Sequence, residues 1–204
     1  MCASPSPTST PSQAPPGKGL GQPAEWVRRF AGLIPAGGCI LDLACGAGRH
    51  TRLFLDRGHP VLALDRNTDE VEDLRGRPGA EILRADLENG DPWPLTGRRF
   101  AAVVVINYLY RPLFPDLLAA LDDGGVLIYQ TLALGHGRKG RSSRPEFLLA
   151  PGELFDLLGG ALSIVAFEQG LVGETRQAVV QRICALRKPP GQAMDDVLLF
   201  PDRD

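Results

Sequence analysis

Four short apolar stretches, each ending on a polar side chain, recur along this chain at nearly constant spacing. They are Ile40-Leu41-Asp42, Val61-Leu62-Ala63-Leu64-Asp65, Ile82-Leu83-Arg84-Ala85-Asp86 and Val103-Val104-Val105-Ile106-Asn107, and their polar ends fall 23, 21 and 21 residues apart. That interval accommodates one strand and one crossover helix, the repeat of a parallel sheet. Open α/β sheets bind ligands in the crevice outside the carboxyl ends of their strands. The spacing therefore predicts a cleft with one polar group at the tip of each successive strand.

At 204 residues, 44% of them apolar, the chain can bury a proper core as one domain without disulfides or metal. A net charge of −2 gives no global attraction to nucleic acid or an anionic membrane. Cys2, Cys39, Cys45 and Cys184 form no CxxC pair and no metal-ligand spacing with the three histidines, so free thiols in a reducing cytoplasm are expected. No apolar run approaches the ~20 residues that span a bilayer. Residues 1–21 are rich in Pro, Ser and Thr and lack the basic start and apolar block of a secretory signal. Having little to bury, they are expected to be a disordered tail. A folded domain over 22–188 and a C-terminal extension over 189–204 complete the expected organisation.

An amphipathic helix is predicted over Ala24 to Ala31, with Trp26, Val27 and Phe30 on one face. Strand 1 follows at Cys39 to Ala44, then a helix from Gly48 to Arg57, strand 2 at Pro60 to Leu64 and a helix from Thr68 to Gly76. Strand 3, Glu81 to Ala85, carries Arg84 and is expected at a sheet edge. Strand 4, Phe100 to Ile106, is the most continuously apolar and is expected at the centre. A helix over Pro112 to Leu121, strand 5 at Val126 to Thr131 and a helix over Pro151 to Leu158 extend the alternation to five βα units. Leu162 to Glu168 and Gln177 to Leu186 close the domain as two strands whose join is too short for a crossover helix. They must pair antiparallel.

The run Leu41-Asp42-Leu43-Ala44-Cys45-Gly46-Ala47-Gly48-Arg49-His50 links strand 1 to the next helix. Gly46 and Gly48 let the backbone turn sharply and approach a ligand, and the helix start offers free N–H groups to an electron-rich group. Two ligand classes compete. The dinucleotide fingerprint GxGxxG/A wants a small sixth residue, where this chain has the β-branched Thr51; no GxxxxGK[ST] phosphate loop is present. The other class is S-adenosylmethionine, which carries no phosphate. Asp65 suits both ribose hydroxyls, Asp86 the adenine amino group with the Leu87 N–H beside it, and Asp42 the cationic amino group, directly or through water. Ala44, Arg49, Arg66 and Asn107 complete the expected cofactor contacts.

LDLACGAGRH, Asp65, Ala85-Asp86-Leu87 and the closing hairpin resemble a class I S-adenosylmethionine-dependent methyltransferase over about Trp26 to Arg187. Within that family, Asn107-Tyr108-Leu109-Tyr110-Arg111-Pro112-Leu113-Phe114-Pro115 and Pro145-Glu146-Phe147-Leu148-Leu149 are similar to small bacterial enzymes of the tellurite-resistance type. The resemblance implies a three-layer α/β/α Rossmann-like fold on a seven-stranded sheet of order 3-2-1-4-5-7-6, with the last strand antiparallel. It also implies transfer of a methyl group to an acceptor of unassigned identity. Tyr108-Leu109 stand where amino-methyltransferases carry the two prolines of [DN]PP[YFW], which speaks against base or glutamine N-methylation.

Methyl transfer from a sulfonium is an in-line displacement that needs alignment and exclusion of water more than a loud catalytic motif. Asn107, Tyr108 and Tyr110 are the candidates to touch the acceptor or the sulfonium, with packing under the following helix as the alternative for the tyrosines. His136 is a candidate base or a solvated loop histidine. Arg138, Lys139, Arg141 and Arg144 crowd one loop, either a solvated connection or a lid that recognises an anionic small molecule. Two other readings remain beside the enzyme: a non-catalytic S-adenosylmethionine-binding protein and an NAD-dependent oxidoreductase. The oligomeric state leaves no mark in the sequence.

Overall fold

The apolar strands alternate their side chains between two separate cores, and that alternation sets the architecture. In the computed structural model, which describes residues 20–135, 144–173 and 177–188, seven strands form one sheet of order β3-β2-β1-β4-β5-β7-β6. The strands are β1 (Ile40–Leu43), β2 (Val61–Asp65), β3 (Ala80–Arg84), β4 (Phe100–Ile106), β5 (Leu121–Leu132), β6 (Ser163–Val172) and β7 (Ala178–Leu186). The pairs β1–β2, β1–β4, β2–β3 and β4–β5 are parallel. β7 runs antiparallel to both β5 and β6.

Odd and even residues of the central strands bury in opposite directions, as the two-residue period of a strand requires. Leu41, Leu43, Leu62, Leu64, Val103, Val105, Leu127 and Tyr129 enter one core. Helices α3 (Phe114–Ala119) and α4 (Glu153–Leu158) cover it through Phe114, Leu117, Leu154 and Leu158. Ile40, Val61, Ala63, Val104 and Ile128 enter the other. That face is covered by α1 (Glu25–Phe30), by α2 (Arg49–Asp56) and by the 3-10 turn Asp69–Leu74, through Trp26, Phe30, Phe54, Val71 and Leu74. The Trp26 indole N–H donates to Ile183 O at 3.1 Å, and the Arg182 guanidinium lies 4.6 Å from the ring centroid. This pins α1 across the sheet.

The seven-stranded order, the central β4, the edge position of β3 and the antiparallel hairpin all agree with the sequence reading. The helical layer is thinner than expected. Within residues 68–76, Asp69–Leu74 forms a 3-10 helix in place of an α-helix, and Gly76 with the following Arg77-Pro78-Gly79 ends it. The connection from β3 to β4 contains no helix at all. Asn89 and Asp91 instead bond each other, and with Pro92 and Pro94 they keep the segment in turns. Strict βα alternation therefore fails at this one crossover. The helix expected over Pro112 to Leu121 splits into a 3-10 turn, Arg111–Leu113, and α3, with proline in the first turn of each.

Gly48 holds the start of α2 against the turn after β2. Its φ is +72°, and a Cβ built there would lie 2.6 Å from Val71 Cγ1. Gly48→Ala should destabilise the fold by about 2–4 kcal/mol, combining left-handed strain with overpacking. Denaturant unfolding of Gly48→Ala alone and with Val71→Ala checks this: the second change should recover the steric part and leave the backbone part.

Candidate active site

The C-terminal tips of β1, β2, β3 and β4 converge on one cleft of about 270 Å³, lined by Ala44, Asp65, Arg66, Asp86, Leu87 and Tyr108, together with Leu64, Ala85, Glu88 and Phe147. After β1 the chain turns through Ala44, at φ +53°, and after β4 through Asn107, at φ +61°. Non-glycine residues seldom take this left-handed conformation, and when they do they cluster at ligand sites. Here the two lie at the ends of neighbouring strands, where the sheet order reverses direction.

The glycine turn is fastened to β2. Cys45 N donates to Leu64 O at 3.1 Å, and Gly46 N donates to Asp65 Oδ2 at 2.8 Å. Asp65 Oδ1 accepts from Asn67 N at 2.9 Å. Two backbone donors thus orient one carboxylate and leave a lone pair free on each oxygen. A Cβ at Gly46 would meet nothing within 4 Å, so the backbone faces open space where a ligand can approach it. Asp86 is held in a similar way, with its Oδ1 accepting from Glu88 N at 3.0 Å.

Asp42 sits apart from the cleft wall. Its carboxyl is 1% exposed and lies beneath the turn, where Oδ2 accepts from the Thr51 hydroxyl at 2.6 Å. It does not line the cleft, and it supports the loop from below through Thr51. Burial raises its pKa to about 6, against the lowering effects of the Thr51 hydrogen bonds and of Arg49. Thr51, read from the sequence only as a misfit to a dinucleotide fingerprint, is the donor that this buried acid requires.

Arg49 opens α2, and its Nη1 donates to Gln22 O at 3.3 Å. His50 is buried, its Nε2 accepts from Ala24 N at 3.1 Å, and desolvation followed by Arg49 lowers its pKa to about 3. Burial, then the nearby Asp42 and Asp65, raises the Cys45 thiol. Tyr108 reaches the cleft half-buried, and burial together with Glu88 raises its phenol, which stays protonated. Its carbonyl accepts from Tyr129 OH at 2.7 Å. Tyr110 packs partly buried against the core and is not part of the cleft lining. His136 and the loop cations before Arg144 lie outside the described residues, as do the N-terminal tail and the C-terminal extension. Glu88 and Phe147 were not singled out from the sequence. Phe147 lay within a quoted motif, but no local signal tells that a residue after β5 reaches the tips of β2 and β3.

Residues 40–125 match the family model described as a methyltransferase domain. The match runs from the start of β1 into β5. Over those residues the chain is similar to methyltransferase domains. Among its methyltransferase relatives is the ribosomal RNA small subunit methyltransferase A of Anaeromyxobacter sp. (strain K), 29% identical, with 81% of this chain and 63% of the relative covered. The trans-aconitate 2-methyltransferase of Sinorhizobium medicae (strain WSM419) is 35% identical over 46% of this chain and 38% of its own length. The chain thus spans less than two thirds of the curated relatives it matches. In fold it is similar to TehB from Haemophilus influenzae, with a TM-score of 0.64 at 15% identity, covering 81% of this chain and 62% of TehB. It is similar also to the glycopeptide N-methyltransferase MtfA in complex with S-adenosylhomocysteine, with a TM-score of 0.59 at 20% identity over 82% and 91% of the two chains.

The buried acid gives a pH signature of known sign. Asp42 holds its proton more tightly when folded, so between about pH 4 and pH 6 the native state binds more protons than the unfolded chain. In that window its contribution to stability falls as pH rises. Carboxylates with lowered pKa, such as Asp73 and Glu81, act in the opposite direction, so the comparison must be between variants. Asp42→Asn should gain stability relative to wild type from pH 4 to pH 6, by about 2 kcal/mol at 1.4 kcal/mol per pKa unit, since titration is incomplete at both ends of that window. Urea unfolding at both pH values measures it, and a pH-independent difference would show that the acid is not desolvated.

Proposed function

We propose that the chain is an S-adenosylmethionine-dependent methyltransferase that acts on a small-molecule acceptor. The observation that carries this reading is the Asp65 carboxylate, oriented by Gly46 N and Asn67 N at the rim of a cleft whose other walls come from the tips of β1, β3 and β4. The residues present fit the methyl donor. Asp65 offers both oxygens to a ribose diol, and Ala85, Leu87 and Tyr108 offer an apolar slot to an adenine, with Asp86 at its polar edge. Gly46 and the N-terminal turn of α2 fit the amino-acid end, with Arg49 near its carboxylate. An NAD reading fits less well, because Thr51 fills the position where the dinucleotide fingerprint packs a glycine or alanine.

S-adenosylmethionine supplies a methyl group on a sulfonium, a good electrophile that needs no covalent help from protein. The contribution of the chain is alignment and desolvation. Cys45 is a protonated, buried thiol and Tyr108 a protonated phenol, while His50 is neutral with its ring nitrogen occupied by Ala24 N. The carboxylates that line the cleft are Asp65, Asp86 and Glu88. Acceptors that attack through a lone pair without first losing a proton suit such a site best. Trans-aconitate, named for several relatives, supports a small anionic acceptor. The ribosomal RNA relative favours a second reading, which the net charge of −2 does not support. The free cysteines Cys39, Cys45 and Cys184 fit a reducing, cytoplasmic setting. No helix among the described residues is long and apolar enough to cross a membrane.

Calorimetry with S-adenosylhomocysteine tests the donor assignment: wild type should bind it, and no heat at millimolar ligand would sink the reading. Asp65→Ala should weaken binding by roughly 1.5–3 kcal/mol, the range for hydrogen bonds to a charged group. An unchanged Kd in the folded variant would place the ribose elsewhere. Binding without turnover across acceptor panels would favour a non-catalytic binding protein.

A further inference from the structure

Two motifs noted separately in the sequence, Tyr110-Arg111-Pro112 after β4 and Pro145-Glu146-Phe147 after β5, are joined by one guanidinium. Arg111 Nη1 donates to Glu146 O at 2.8 Å, and Nη2 donates to Leu148 O at 3.0 Å. Nε and Nη2 clasp the Glu153 carboxylate, with Nη2 to Oε2 at 2.9 Å. Glu153 in turn accepts from Ala150 N at 2.7 Å. The downstream half of this segment has other anchors. Leu149 bridges to β5 through Leu132 O and Leu134 N, and the buried Gln181 binds Ala150 O and Leu154 N. The upstream half is a single 3-10 turn, Pro145–Phe147, closed on itself by Phe147 N to Arg144 O. Arg111 ties this turn to the body of the fold.

The same turn carries Phe147, an aromatic ring left 44% exposed that lines the cleft with Asp65, Asp86, Leu87 and Tyr108. Water is an unfavourable neighbour for such a ring, and an aromatic face is a good one for a flat base. Arg111 spends its donors on carbonyls and one carboxylate of the flanking segment, the geometry of a clamp, and is not a residue of the cleft lining. We propose that Phe147 is a further wall of the adenosine subsite and that Arg111 is the positioning residue that holds it there. This rests on the methyl-donor reading above. It assigns to the loop after β5 a part in holding the adenine ring, beside the strand-tip acids.

The test is a double-mutant cycle on the full chain, with S-adenosylhomocysteine as titrant and far-ultraviolet circular dichroism to confirm folding. Phe147→Ala should weaken binding about tenfold, a loss of about 1.4 kcal/mol. Arg111→Met should do nearly the same although it removes no group that touches the ligand. The double variant should be no weaker than either single change, because both remove one contact. Losses that add would overturn the positioning role, which a merely structural arginine would also fail to show. If Arg111→Met does not fold, Phe147→Trp still decides the ring: its indole emission should shift on addition of S-adenosylhomocysteine relative to wild type, and an unmoved spectrum overturns the assignment. Unchanged affinity in Phe147→Ala while wild type binds refutes this inference alone. Absence of binding by wild type refutes it together with the donor reading.

Discussion

The hydrogen bond from Thr51 to Asp42 is the constraint on which the site depends. A carboxylate at the end of β1 is taken out of water and given one hydroxyl donor from the first turn of α2. Desolvation costs free energy that this bond and the charge of Arg49 only partly offset. What results is a fixed separation between the strand tip and the helix start. The turn between them then has one path, through the left-handed Ala44 and the two glycines, and Gly46 N arrives at Asp65. The rim of the cleft is thus set from underneath, by a group that does not line it.

Much of this was legible in the chain because strand signals are local. Continuous apolar runs in β1, β2 and β4 announced a sheet covered on both faces, and Arg84 in β3 announced an edge. The short join before β7 forced an antiparallel partner. Asp65, Asp86 and Tyr108 came to the cleft as their place at strand ends implied. Helical content was less legible, since spacing alone cannot tell a crossover helix from a string of turns. The interval from Asp86 to Asn107 matches the repeat, yet Asn89, Asp91 and Pro92 fill it with side-chain-capped turns.

What the chain left unread shares a physical origin. Asp42, at a strand tip, is expected to reach a ligand amino group directly or through water. Tip position does not reveal which way a side chain points, and the alternation of β1 sends Asp42 under the turn. Phe147 and Arg111 were equally opaque: 36 positions apart in the chain, Arg111 and the turn that carries Phe147 come together only because the sheet order places the ends of β4 and β5 side by side. Contacts set by tertiary register carry no local pattern for a reader to find.

The position of β7 has a consequence for how the molecule comes into being. It is the last strand along the described chain, yet it lies inside the sheet, between β5 and β6. As the polypeptide emerges from a ribosome, β5 has a bare row of amide and carbonyl groups along one side until residues 178–186 are released. Such a row is a template for illegitimate pairing with other chains. Maturation therefore waits on the carboxyl-terminal hairpin, and chains interrupted before it would leave that seam open.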